Sequence, residues 1–504
     1  MIASVKQYFN THPLRFAIFS GLIFRLLAVI FSKGFGFFDD HFLILEAAQS
    51  WVDGTDYNYW LPSELDPTRQ PQGHPYFYVG IHFLLLKFQT MLGLTDPQGK
   101  LYLIRLLHAL WSLLTVYYGF KIAYKKTNLK VASWVGLALS LYWFFPFLSV
   151  RNLVEIACIP PMVIATWLVV KNDSKLNIKD AFLVGLMLAL AFSFRFQTVI
   201  FSAGFGLALL LLRVQFKYLV LVVVGFLVTA FVTLGILDIY VWGKPFVEFM
   251  AYVQYNLDNA TVYGVDVWHM YFSIVLGLLI PPLSILLFTG YLKNWRKEPL
   301  LFWPTALFFA FHTYFPNKQE RFILPIVPFI IILGFIGAYQ IVTKYDWESK
   351  KWFRNTVLFC IILNLILLPV LTLSYSKRNR VEAMCYIAKQ KDCVRLIVED
   401  SNRENDFTMP PQYYLENWGS VFGITKTFTP DSMLYYYNKT EIKERPYYVV
   451  FMQAENINAR VDSLRKRFPT LHYEATIEPS FIDKTMHFLN PLNDNQTTYI
   501  YKIR

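Results

Sequence analysis

The sequence predicts an all-α polytopic membrane protein of about eleven spanning helices, followed by a small α/β domain outside the membrane. Three observations predict it. Of the 504 residues, 55% are hydrophobic and only 16% charged, where soluble domains carry about 25% charged residues. The mean hydropathy is +0.37. Uninterrupted apolar runs recur along the first three quarters of the chain, whereas the last quarter alternates short apolar and polar stretches.

The runs lie near 14–32, 101–123, 131–149, 153–170, 180–195, 198–213, 217–240, 268–290, 301–315, 321–343 and 355–375. Runs of about 17–25 apolar residues match a hydrocarbon core about 30 Å thick. The first lacks an Ala-x-Ala-like cleavage site and is read as a retained helix. Residues 75–92 are ambiguous between a span and an interfacial helix. The interfacial reading puts the loop of Lys121, Lys125, Lys126 and Lys130 inside, as the positive-inside rule asks. On that reading the N-terminus is cytoplasmic and residues after Tyr375 lie on the opposite side.

The chain therefore divides into a membrane domain, 1–375, with a first extracytoplasmic loop at 33–100, and an extracytoplasmic domain, 376–504. In the latter, Val394–Glu399, Tyr447–Met452 and Tyr499–Ile503 read as strands and Asn456–Phe468 as an amphipathic helix. Cys385 and Cys393 are read either as a pair in an oxidising compartment or as two free thiols. Cys158 and Cys360 fall in apolar runs and read as small fillers.

The formal charge of +12 belongs to short loops between apolar runs. It is a matter of membrane orientation rather than nucleic-acid binding, and no nucleic-acid motif accompanies it. No Gly-rich nucleotide loop stands out. A metal site built from His41, Glu46 and His269 lacks ligand spacing, so neither a metal nor a cofactor is expected.

Polar and ionisable residues gather at the non-cytoplasmic ends of the runs: Asp39, Asp40, His41 and Glu46; Arg69 and His74; Glu155; Arg195; Asn256, Tyr263, Trp268 and His269; His312, Asn317, Lys318, Glu320 and Arg321. An ionisable group at mid-bilayer costs about 2.5–3.5 kcal/mol on insertion scales, so such groups mark a site or a cavity. Asp39, where a loop becomes a helix, is read either as a general base or as a helix cap. Lys318, Arg321 and Arg195 are read either as phosphate ligands or as snorkelling side chains.

Three stretches carry a resemblance. Phe37-Phe38-Asp39-Asp40-His41-Phe42, with Glu46 one turn on, resembles the His-Pro-Asp-Glu-x-Phe motif of glycosyltransferase family 22, the GT-C mannosyltransferases of GPI-anchor and dolichol-linked glycan assembly. Asp238 to Lys244, through Asn256 and Tyr263-Gly264 to Trp268-His269-Met270-Tyr271-Phe272, is similar to a second motif of that family. His312 to Phe322, ending at Pro325, is similar to a third, and Arg195 with Gln197-Thr198 resembles a further family position. The resemblance covers about 15–345, and residues 69–75 also resemble bacterial GT-C enzymes that modify lipids or proteins.

The resemblance implies a GT-C fold and an inverting transfer of a sugar, mannose foremost, from a polyprenyl-phosphate donor to a hydroxyl of a lipid-linked glycan or glycolipid. It implies catalytic Asp39 and Asp40, with Asp39 as base. Lys318, Arg321, Arg195, His269 and Trp268 would hold the donor and its phosphate, and Glu46, Arg69, His74, Asn256, Tyr263, Asn317 and Glu320 would serve the acceptor side. The active site would face outward from a bacterial plasma membrane, or lie in the endoplasmic reticulum of a eukaryote. Phe37-Phe38 in place of His-Pro, and Asn317 and Gln319 in place of His and Glu, depart from the family pattern. The rival expectation is a transporter or flippase for a lipid-linked glycan. Polar groups at helix ends, with no internal repeat, weigh against it.

Overall fold

The computed structural model describes residues 2–503 apart from 263, 420, 492 and 494. Each of the apolar runs contains helix, but proline and glycine divide several of them. Among the described residues five helices are long and apolar enough to cross a bilayer: Pro13–Phe31, Pro97–Lys126, Phe216–Trp242, Glu320–Lys344 and Lys351–Thr372. A sixth candidate is a broken pair, Met270–Leu278 and Leu283–Lys293, bent by 116°. The break falls at Pro281-Pro282, which removes two backbone donors from the ladder. Leu129–Leu141, Val154–Val170 and Thr198–Leu211 are shorter apolar helices. Residues 76–91, ambiguous by sequence, form a 16-residue helix, Tyr76–Met91.

The chain divides into two compact units. The first comprises Met1–Val29, Tyr59–Ile81 and Ile104–Leu373 and is a helical bundle. Small residues let its backbones meet: a Cβ at Gly337 would lie 2.1 Å from the Gly290 carbonyl oxygen, where Leu283–Lys293 crosses Val327–Lys344. Close approach through glycine is a common way for helices to pack where lipid supplies no hydrophobic drive. Arg25, 1% exposed, ties the first long helix inward, donating to Ser112 Oγ at 2.7 Å and to the Ser140 carbonyl at 3.1 Å. A guanidinium in an apolar bundle persists because backbone and hydroxyl acceptors replace water.

The second unit comprises Ile30–Asn58, His82–Leu103 and Ser374–Arg504. Its core is a five-stranded mixed sheet of β1 (Leu396–Glu399), β2 (Val421–Ile424), β3 (Tyr448–Phe451), β4 (His472–Ile477) and β5 (Thr498–Lys502), in the order β2-β1-β3-β5-β4. β1 runs parallel to β2 and β3, and β5 antiparallel to β3 and β4. Ile397, Val449, Phe451 and Ile500 are fully buried at its centre. The three strands legible by sequence are the central ones. β2 and β4 are the two edges and half exposed; β4 has no apolar run, and β2 is a four-residue Val-Phe-Gly-Ile stretch broken by glycine, so alternation did not mark them. The expected helix is there as Ile457–Arg465. All four cysteines are free, so Cys385 and Cys393 are two thiols and not a bridge.

The segment after the first long helix belongs to this second unit and is stitched to the sheet-bearing part. Gly34 bridges Ser376, and Ser376 N–H donates to the Lys33 carbonyl at 3.2 Å. Lys377 Nζ donates to the Gly36 carbonyl at 2.6 Å and lies 4.6 Å from the Phe35 ring centroid. Tyr413 O–H donates to the Pro97 carbonyl, and Trp418 Nε1 to Asp53 at 2.8 Å. Gly34 has φ +73°, and a Cβ there would sit 1.9 Å from the Ser376 carbonyl oxygen. Gly34→Ala is expected to lose roughly 1–2 kcal/mol from the left-handed backbone alone, and more from the clash. Thermal unfolding and protease cleavage near 374–378 check this; wild-type resistance in both refutes it.

Candidate active site

In the second unit the predicted helix after the first loop begins at Phe38 and runs to Val52. Its middle, His41–Glu46, is a π-helical stretch, a distortion often found at functional sites. The two adjacent carboxylates are in different situations. Asp40, 3% exposed, turns back to cap the helix: its oxygens accept the N–H groups of Phe37 at 2.9 Å and Gly36 at 3.2 Å. Asp39 is half-buried one residue earlier. The cap expected of Asp39 is thus made by Asp40.

His41 and Glu46 are fully buried and paired, Nε2 to Oε1 at 3.0 Å. The His41 ring stacks on Phe35, centroids 4.4 Å apart, and on Tyr414 at 5.4 Å. Glu46 Oε1 also accepts the Tyr413 N–H at 2.9 Å. Burial, then the Glu46 charge, pushes the Tyr57 phenol far above its ordinary range. Glu46 therefore joins the Asp39 helix to the sheet-bearing part rather than standing open to a ligand.

In the first unit three buried charged side chains come together. Arg195 closes the helix Ile178–Phe194, where its extended backbone ends the ladder. Glu155 lies in the turn Val154–Ala157 just ahead of Pro160-Pro161. Arg321 starts Glu320–Ile326, which leads into Val327–Lys344. Arg195 Nη1 pairs with Glu155 Oε1, and Arg321 Nε lies 3.7 Å from the same oxygen. Glu155 is 1% exposed, Arg195 3% and Arg321 4%. Both guanidinium groups lie over the Phe322 ring, at 5.0 and 5.6 Å. The Arg195 Nε and Nη2 atoms are buried and have no hydrogen-bond partner among the described residues.

Lys318, 5% exposed, gives its Nζ to the Phe315 carbonyl at 2.6 Å, while its backbone N–H donates to the Gly264 carbonyl at 2.9 Å. Two guanidiniums thus face one carboxylate. Burial of unbalanced charge is costly unless a counter-charge arrives, so the cluster is suited to an anion. Tyr252, from the helix Val247–Asp258, stands within the field of Arg195, Glu155 and Arg321, and burial pushes its phenol up to about 12.

The other sequence candidates are more scattered. Trp268 is 66% exposed and its neighbour His269 is exposed as well, the two rings meeting edge to face at 5.5 Å. The backbone of the Gly264-to-His269 segment reaches the third motif through a bridge from Val265 to Asn317. Asn256 caps its own helix turn, donating to the Tyr252 carbonyl at 2.8 Å, and Glu320 is exposed. Tyr263 lies outside the described residues. Arg69 braces its loop, donating to the Leu61 carbonyl at 2.9 Å and lying over Tyr59.

His74 stacks on Trp60 at 3.9 Å, and burial pushes its imidazole down to about 4. The neighbouring backbone is held by a residue the motifs did not single out. Glu248 accepts the Gly73 N–H at 2.7 Å, the His74 N–H at 3.0 Å and the Trp242 indole N–H at 2.8 Å. Glu155, noted by sequence only as one of the polar residues, is the centre of the cationic cluster. Its signal was that of an acid beside an apolar run. Among the described residues no group of His, Cys, Asp or Glu is arranged to hold a metal ion.

An apolar helical bundle accompanied by a small sheet-bearing unit is a fold this chain shares with solved GT-C-type enzymes. ArnT from Cupriavidus metallidurans, solved with undecaprenyl phosphate, shares the fold with a TM-score of 0.61 over 97% of both chains at 12% identity. The oligosaccharyltransferase of Archaeoglobus fulgidus in its apo form gives a TM-score of 0.54 over 94% of this chain and 74% of its own, at 11% identity. Within that class the chain belongs to the Alg9-like mannosyltransferase family, whose sequence profile matches residues 16–398. It is thus a glycosyltransferase. It is 24% identical to mannosyltransferase APTG1 of Arabidopsis thaliana, over 75% of this chain and 71% of the relative. It is 26% identical to human GPI alpha-1,2-mannosyltransferase 3, over 70% of this chain but only 61% of the human protein.

Proposed function

We propose that the protein is an inverting membrane glycosyltransferase that moves mannose from a polyprenyl-phosphate donor to a hydroxyl of a lipid-linked glycan or glycolipid. The observation that carries the reading is the buried Arg195–Glu155–Arg321 cluster, in which two Arg195 guanidinium nitrogens have no hydrogen-bond partner among the described residues. A phosphodiester supplies the missing counter-charge and the missing acceptors, and planar guanidinium groups suit its oxygens. Family membership supports mannose, and the apolar helices support a lipid-linked donor.

In the reaction Asp39 takes the proton of the acceptor hydroxyl. The hydroxyl oxygen forms the new bond to the anomeric carbon as the bond from that carbon to the phosphate oxygen breaks, so configuration inverts. The electron pair leaves on polyprenyl phosphate, whose added charge Arg321, Arg195 and Lys318 offset. Stabilising charge where it develops is commonly the largest catalytic contribution. His41, Glu46 and Asp40 position the Asp39 helix rather than touching substrate.

The test is sugar transfer by the purified protein from radiolabelled polyprenyl-phosphate mannose, with polyprenyl-phosphate glucose in parallel, to a lipid extract of the source cells. Transfer from the mannose donor alone is expected. Transfer from glucose alone overturns the donor assignment, and transfer from neither overturns the reading.

A further inference from the structure

The second unit carries a helix turned inside out. Phe481–Leu489 has the sequence Phe-Ile-Asp-Lys-Thr-Met-His-Phe-Leu and lies between β4 and β5 in the chain. A helix on a water-soluble domain packs its apolar face inward and shows its polar face to solvent. This one leaves most of its apolar side chains exposed and buries an acid. Phe481 is 80% exposed, Phe488 84% and Leu489 70%, while Asp483 is 7% exposed. Asp483 accepts from Ser480 Oγ at 2.9 Å, and the Asp483 N–H donates to the same hydroxyl. His487 Nδ1 donates to the Asn493 carbonyl at 2.7 Å. Asp483 and His487 are therefore fixed to the protein and Lys484, 58% exposed, pairs with Glu478 at 2.8 Å, whereas the aromatic side chains have no partner among the described residues.

Chain length restricts what can cover that face. Asp483 faces the backbone N–H groups of Lys377 and Arg378. Lys377 follows Thr372, the last residue of the apolar helix Lys351–Thr372, by five residues. At no more than about 3.6 Å per residue, that tether spans at most about 18 Å. The same short stretch meets the first apolar helix: Gly34, bridged to Ser376, follows Phe31 by three residues. The covalent path from either membrane-length helix to the residues that hold Asp483 is thus short. If those helices span a bilayer, so short a path leads to its interface, where amphipathic helices bury aromatic and leucine side chains about 5–10 Å into the headgroup boundary.

We infer that Phe481–Leu489 is an interfacial membrane anchor whose Phe481, Phe488 and Leu489 side chains insert into the lipid surface. The occupant of the exposed face is the bilayer in which the chain itself sits, so the inference rests on the membrane reading above. Anchored in this way, the second unit is held to the lipid surface at the Gly34–Lys377 junction, which is covalently continuous with the Asp39 helix. A lipid-borne acceptor gains from a domain that cannot drift from the membrane plane.

The experiment is site-directed spin labelling of the full chain in lipid nanodiscs, with Cys385 and Cys393 replaced by serine. Labels at Phe488→Cys and Leu489→Cys are compared with Lys484→Cys on the same helix and Ile366→Cys on Lys351–Thr372, and relaxation by oxygen is compared with relaxation by a water-soluble nickel chelate. Phe488 and Leu489 are expected to favour oxygen as Ile366 does, while Lys484 favours the chelate. Chelate-accessible labels at 488 and 489, with Ile366 in lipid, overturn the anchor and leave the membrane reading standing. A chelate-accessible Ile366 overturns both. Spin–spin broadening at 488 without lipid contact assigns the face to a second copy instead. The labelled side chains are the exposed ones, so folding is not expected to change, and Leu489→Cys repeats the test independently of Phe488→Cys.

Discussion

Asp39→Asn is expected to abolish sugar transfer while leaving the protein folded and normally expressed. Removing a general base costs roughly 10²–10⁴-fold in rate. The change is nearly isosteric, and Asp39 is a half-buried residue in the first helical turn, where losing an acidic charge costs about 0.3–1 kcal/mol. Its neighbour provides the contrast. Asp40→Ala takes the acceptor from the half-buried N–H groups of Gly36 and Phe37, and a donor left unmet costs up to about 1–3 kcal/mol when fully buried. Asp40→Ala should therefore lower both thermal stability and activity, whereas Asp39→Asn lowers activity alone. Transfer assays and thermal unfolding in detergent, run on both variants, separate the two roles. Full transfer by Asp39→Asn would remove it from the chemistry.

Arg321→Ala is expected to cut transfer by about 10²–10³-fold, the range seen when one group stabilising developing charge is removed. The protein should still fold, because Glu155 keeps Arg195 as its ion-pair partner. Arg321→Lys restores the charge but not the planar fork, so only partial recovery is expected. Glu155→Ala behaves differently. It leaves Arg195 and Arg321 buried without their carboxylate, and breaking a buried pair from one side costs about 3–5 kcal/mol. Loss of folded protein should dominate there. Arg321→Ala with undiminished transfer, or Glu155→Ala with unchanged stability, would contradict the account of the cluster.

These predictions separate residues that the sequence presents as alike. Asp39 and Asp40 stand side by side in one motif, and no periodicity tells which carboxylate turns back on the preceding N–H groups. Glu46, one helical turn on, looks like a site acid by position. Its pairing with His41 and with the Tyr413 N–H makes it a fastening between segments 367 residues apart. Glu155 and Glu248, by contrast, carry no motif, yet each organises donors from distant stretches of chain.

The sequence by itself determined the elements whose cause is local. Apolar runs gave the helices of the bundle, short alternating runs gave the three central strands, and the three motifs gave the family. Proline and glycine positions, also local, explain where single apolar runs become two helices, as at Pro281-Pro282. What only the tertiary structure decided are the long-range pairings. These include the edge strands β2 and β4, the grouping of residues 30–58 with the C-terminal sheet, the separate free thiols, and the inverted face of Phe481–Leu489. The physical reason is the same in each case. A helix or central strand is specified by the spacing of its own side chains, whereas a buried carboxylate's partner, an edge or a face is specified by what arrives from elsewhere in the chain.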